Sequence, residues 1–97
     1  MTKSYIIANV TVTDPEQYKV YQQFSSQAMQ EHNVNILVRG GAAESLEGEA
    51  PGRLVVLEFP SKTAARAFYD SETYRQGREA RKDAAQMTMF IVEGHPG

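Results

Sequence analysis

An α+β domain ordered strand, helix, strand, strand, helix, strand is predicted by three features of this sequence. Four short segments are rich in β-branched and aromatic residues, two longer segments repeat their apolar residues every three or four positions, and turn-forming clusters separate them. At 97 residues the chain is read as one domain, 1-97, with a real core but with roughly 35 to 40% of its unfolded-chain surface left in water.

Residues 4 to 12, SYIIANVTV, are the first predicted strand. The strand stops at Asp14 and Pro15, where the carboxylate caps a helix that begins on the proline. From Pro15 to about His32, Tyr18, Tyr21, Phe24 and Ala28 recur at helical spacing and form one apolar stripe. Residues 34 to 41 are the second strand, and AAESLEGEAPG is a long polar connection to the third, RLVVLEF, which Pro60 ends. Ser61 caps KTAARAFYD and Ser71 caps ETYRQGREARKDAA, so the second helix is expected to break near Asp70. QMTMFIVEG is the last strand.

This order is that of a ferredoxin-like β-α-β-β-α-β fold, a four-stranded antiparallel sheet with its helices on one face. Such a sheet should alternate apolar with polar residues, and these strands do not. Val55, Leu57 and Phe59 suit the helix side, yet Leu54 and Val56 opposite them are apolar too. Ile6, Ala8 and Val10 are likewise opposed by Tyr5 and Ile7, and Met87, Met89 and Ile91 by Phe90 and Val92. An apolar sheet face of this size calls for a cover, and a second copy of the chain across a two-fold axis supplies one. A homodimer is therefore expected.

The stretches VTDPEQYKVY, VRGG, LEG, RLVVLEFPS, SETYRQGREAR and IVEG, in this order and spacing from Tyr5 to Gly94, resemble the family known as domain of unknown function 1330. The resemblance implies a dimeric α+β barrel, the architecture to which the strand pattern already points. Other dimeric barrels of this kind include monooxygenases, isomerases and dehalogenating enzymes, whereas the family itself has no assigned reaction.

Composition narrows the function classes. A net charge of -2 gives no electrostatic footprint for nucleic acid. The absence of cysteine removes disulfides and thiolate metal sites, and no apolar run approaches the ~20 residues that span a bilayer. With no apolar leader at the start, the expected location is cytoplasmic, with no membrane partner. His32 and His95 lack neighbours at metal-ligand spacing, so no metal is expected. No phosphate-binding glycine loop or nucleophile elbow occurs, and no cofactor is expected.

The candidate ligand residues are Arg39, Glu58, Asn9, Gly40, Tyr74 and Arg78. Strict alternation puts Asn35, Leu37 and Arg39 on one face of the second strand and Ile36 and Val38 on the other. Arg39 is then expected on the partner-covered face with Asn9 and Glu58, where a guanidinium suits a carboxylate or carbonyl ligand. The alternative is an Arg39 to Glu58 ion pair that fixes dimer register. Gly40 and Gly41 remove bulk beside the arginine, as at a bulge, a close approach or a wide turn. Tyr74, Arg78 and Arg81 share a helix face with Gly77 and either line a cleft mouth or form a solvated, ion-paired surface. Tyr18, Tyr21 and Tyr69 read as core residues with hydroxyls at the edge. Two functions stay open: a cofactor-independent enzyme acting on a small polar or anionic organic molecule in a cleft beside the sheet, or a non-catalytic homodimeric ligand-binding or accessory protein.

Overall fold

The computed structural model describes residues 2–96. The elements are β1 (Ser4–Val12), α1 (Pro15–Glu31), β2 (Asn35–Arg39), β3 (Arg53–Phe59), α2 (Lys62–Tyr69), α3 (Glu72–Ala80) and β4 (Ala85–Glu93). The strands form one antiparallel sheet in the order β2-β3-β1-β4. This is the ferredoxin-like arrangement, with the second helix divided in two.

Local chemistry sets the boundaries. The Asp14 carboxylate accepts from the Gln17 N–H at 3.2 Å and starts α1. Asn33, with φ of 50°, turns the chain at the far end, and the Val34 N–H is spent on the Met29 carbonyl at 3.0 Å. The second strand consequently starts at Asn35 rather than Val34. It ends at Arg39 because Gly40 takes φ of 73° and leads the chain out of the sheet. The expected break after α2 is present: the Ser71 hydroxyl donates to the Phe68 carbonyl at 2.8 Å and accepts from the Tyr74 N–H at 3.2 Å. One side chain thus ends one helix and starts the next.

The register of β2 overturns the expected faces. Asn35 pairs with Glu58 and Ile36 with Leu57, but the next pairs are Val38 with Val56 and Arg39 with Val55. Two steps along β2 meet one step along β3, so Leu37 is the extra residue of a β-bulge. Past it the alternation is inverted. Val38 joins the helix-free face, and Arg39, opposite Val55, joins the helix side.

Three rows, centred on Val10, Ala8 and Ile6, form the middle of the helix side of the sheet. Arg53, Val10 and Met87 form the first, Arg39, Val55, Ala8 and Met89 the second, and Ile36, Leu57, Ile6 and Ile91 the third. The helices close over them with Tyr18, Tyr21, Ala28, Met29, Ala65, Phe68 and Tyr74, all buried. Gly77 lets α3 approach α1, since a Cβ there would sit 3.1 Å from Phe24 Cβ.

The result is a slab of 40 × 38 × 16 Å with one uncovered face. Its accessible surface of 6384 Å² at 10.8 kDa exceeds the about 5,500 Å² typical of a monomer of that mass. Among the described residues, no helix is long and apolar enough to cross a membrane.

Candidate functional site

Between the sheet and the helices lies a cavity floored by Ala8, Val55, Leu57, Met87 and Met89 and roofed by Tyr18, Tyr21, Ser25, Met29, Phe68 and Tyr74. Arg39 and Arg53 stand at its sheet corner. The period-2 order of β3 that turns Val55 and Leu57 inward turns Arg53 inward as well. The Leu37 bulge brings Arg39 to the same side. The remaining space is about 20 Å³, room for about one water.

The basic groups here have no acidic partners. Among the described residues, the salt bridges are Lys3 to Glu58, Lys19 to Glu16, Arg66 to Asp70 and Arg75 to Glu72. Arg39, Arg53, Arg78 and Arg81 take part in none. Arg39 instead donates to the Ser26 hydroxyl at 2.7 Å. The Arg53 guanidinium lies 6.0 Å from the Tyr18 ring centroid, and that of Arg81 5.4 Å from Tyr21. The Nε atoms of Arg53, Arg78 and Arg81 are buried without an acceptor. Unpaired guanidiniums stacked on neutral rings leave a positive potential that an anion would relieve.

The phenols supply hydrogen bonds. The Tyr21 and Tyr74 hydroxyls are 2.7 Å apart, and the Tyr74 oxygen lies 3.8 Å from Met89 Sδ. Burial, reinforced by Tyr21, pushes the Tyr74 phenol far above its ordinary pKa. Burial also raises Tyr18, partly offset by Arg53. Both are therefore neutral around pH 7.

The sequence candidates separate into groups. Glu58 and Asn9 lie on the helix-free face, paired with Tyr5 and Leu54 four residues apart along β1, so they share a face without meeting. Arg39 does not join them, and the expected ion pair with Glu58 is absent because the bulge carries Arg39 through the sheet. Glu58 is satisfied by the Asn35 amide at 2.8 Å, the Tyr5 hydroxyl at 3.0 Å and Lys3 at 3.5 Å. Those contacts, Asn35 foremost and then Tyr5, hold its carboxyl below the usual carboxylate range.

Gly40 was expected to make room beside Arg39 for a backbone or ligand. The group it accommodates is the Arg53 guanidinium, which lies where a Cβ at position 40 would stand. Gly41 meets nothing within 4 Å, and the bulge is at Leu37 rather than at the glycines. Tyr74 sits inside the cavity with only 1% exposure rather than at a cleft mouth. Arg78 is outside the lining and stacks 4.4 Å from the Tyr69 centroid. Sequence reasoning passed over Arg53, the residue that most directly combines a cavity position with an unsatisfied buried donor. Alternation extended one step back from Val55 would have found it.

No functionally curated protein matches the chain. Solved structures match it in fold. A protein of unknown function from Rhodopseudomonas palustris superposes with a TM-score of 0.77 at 16% identity, over 99% of this chain and 85% of that one. SnoaB, a cofactor-independent oxygenase from Streptomyces nogalater, gives 0.63 at 8% identity over 100% and 97%. A dimeric ferredoxin-like protein of unknown function from Thermobifida fusca gives 0.58 at 16% identity over 94% and 92%. The sequence model of one family, described as a domain of unknown function (DUF1330), matches residues 3–95. With nearly its whole length matched, the chain belongs to that family.

Proposed function

We propose that this protein is a homodimer that handles a small organic anion, held in the cavity between the sheet and the helices. One observation carries the ligand reading: Arg39 and Arg53 line a cavity with no carboxylate partner, and the buried Arg53 Nε has no acceptor. A donor desolvated in this way costs stability unless something occupies the site, and functional sites commonly tolerate that cost. The homodimer reading is supported by the apolar row Val38, Val56, Ile7 and Phe90 across the uncovered face, and by the excess accessible surface. The dimeric state of the Thermobifida fusca relative in fold supports it too.

The cavity wall bears on whether the anion reacts. Its lining residues include no carboxylate, imidazole or thiol, and the Tyr18 and Tyr74 phenols are held neutral. A substrate would have to arrive ionised, with its own electron density as the reactive centre, while the arginines stabilise its charge. Likeness in fold to a cofactor-independent oxygenase supports that enzymatic version. The absence of a side-chain base favours the second reading, a binding protein that holds its anion unchanged.

Thermal-shift measurements with a panel of small organic anions test the site. Saturable stabilisation that is lost in Arg53→Met is the expected result. An equal response in Arg53→Met, or none to any anion, would remove the cavity from consideration. A ligand found in this way and recovered unchanged after long incubation in air supports binding over turnover.

A further inference from the structure

The walls of the cavity say more about its occupant than its present volume does. Met29, Met87 and Met89 all line it, and Met1 is the chain's one other methionine. Methionine is unbranched and polarizable, repacks at little cost, and makes favourable contacts with aromatic rings. The centre of the floor is Ala8, a small side chain between Val55 and Met89 in its row and between Ile6 and Val10 along its strand. A floor lowered at Ala8, with Met87 and Met89 beside it in the sheet and Met29 above it, leaves about 20 Å³ at rest and considerably more once the thioethers swing aside.

The two ends of the cavity differ. At one corner Arg39 and Arg53 occupy adjacent rows of the sheet, about 7 Å apart along the strand direction. Their planar forks match a carboxylate. A phosphate would draw in addition on clustered backbone N–H groups, and the Gly40 N–H, next in sequence to Arg39, already donates to the Leu54 carbonyl at 2.8 Å. Toward the helices, Phe68 and the hydrogen-bonded Tyr21 and Tyr74 close the cavity with ring faces and hydroxyls.

Resting on the anion reading above, we infer that the occupant is a carboxylic acid with an aromatic or similarly flat unsaturated body, bound as its carboxylate. The acid group sits on Arg53 and Arg39, and the ring displaces the methionine side chains around Ala8.

The test uses wild-type protein carrying ¹³C-methyl methionine, titrated with benzoate, 1-naphthoate, acetate, inorganic phosphate and benzyl alcohol. Benzoate or 1-naphthoate should bind saturably, on the order of tenfold or more tighter than acetate, and should move the methyl signals of Met29, Met87 and Met89. Ala8→Val, which raises the floor, should weaken the aromatic acids while leaving acetate unchanged. Acetate or phosphate binding as tightly as the aromatic acids, with the methionine signals unmoved, overturns the aromatic body and leaves the anion reading intact. Benzyl alcohol matching benzoate overturns the anion reading and this inference with it. Should Ala8→Val not fold, the wild-type methyl shifts alone decide the first of these outcomes.

Discussion

The two faces of the sheet handle charge in opposite ways. On the open face the acidic group, Glu58, is fully engaged by Asn35, Tyr5 and Lys3, and the middle row from Val38 to Phe90 is wholly apolar. On the helix face the arginines around the cavity have rings and hydroxyls for neighbours but no counter-ion. A surface that is to be sealed against another protein gains from satisfying every polar group within itself. A site that is to receive an anion needs its donors unspent. The contrast suits the open face to a seam and the helix face to a ligand.

The largest expected effect breaks the open face. Val56→Asp sets an unpaired carboxylate in the middle of the apolar row and should cost several kcal/mol of association. Sedimentation showing a full-strength dimer for this variant would move the seam elsewhere.

Next comes the buried end of the cavity. Tyr74→Phe leaves the Tyr21 hydroxyl without its 2.7 Å partner and should destabilise the fold by about 1 to 3 kcal/mol. The same variant sharpens the alkaline limb of a pH-stability profile. The folded protein raises the Tyr74 pKa, so the stability tied to its neutral form is complete below tyrosine's ordinary value of ~10 and lost as pH rises beyond it. Chemical denaturation between pH 8 and 11 should show a shallower decline for Tyr74→Phe than for the wild type. Equal slopes would mean that this phenol does not control that limb.

A smaller effect is expected at Arg39. Had it paired with a buried Glu58, Arg39→Met would cost ~3 to 5 kcal/mol. Its side chain makes a hydrogen bond to Ser26 near the surface and no ion pair, so the melt should move by less than about 1 kcal/mol, while binding of an organic anion weakens. A collapse in stability would return Arg39 to a structural role.

The smallest effect concerns Glu58. Its carboxyl is held below the usual range, so its contribution is present above the ordinary carboxylate pKa and fades as pH falls through the lowered value. Glu58→Gln should flatten the acid limb of the profile below about pH 5 and lower neutral stability by the same small amount that the limb loses. A wild-type acid limb in that variant would assign the slope to other carboxylates.

Much of the fold was legible because its signals are local. Asp14 and Pro15 open α1, Ser61 and Ser71 open α2 and α3, and a period of two marks β3, each readable from a handful of neighbours. The bulge was not legible, because Leu37 is an ordinary strand residue and becomes the extra one only when β2 is counted against β3. That single miscount sent Arg39 to the wrong face and suggested a cluster with Asn9 and Glu58. The cavity was half legible: Ala8 among larger residues and Arg53 ahead of Val55 are visible in the sequence, but their meeting under α1 is a property of the packed layers.

Leu37 also sets the condition on which the place of Arg39 depends. Substituting one aliphatic residue for another there keeps the count of backbone steps, and Arg39 stays where it is. Deleting the residue merely closes the bulge, since Ile36, Val38 and Arg39 keep Leu57, Val56 and Val55 as partners and Arg39 stays on the helix side. Flattening the bulge with Leu37 retained would instead pair Leu37 with Val56 and Arg39 with Leu54, carrying the guanidinium from the cavity corner to the open face with no chemical group changed. The placement of Arg39 therefore rests on how one backbone step is absorbed within β2: a one-residue slip reverses it, and a one-residue loss does not.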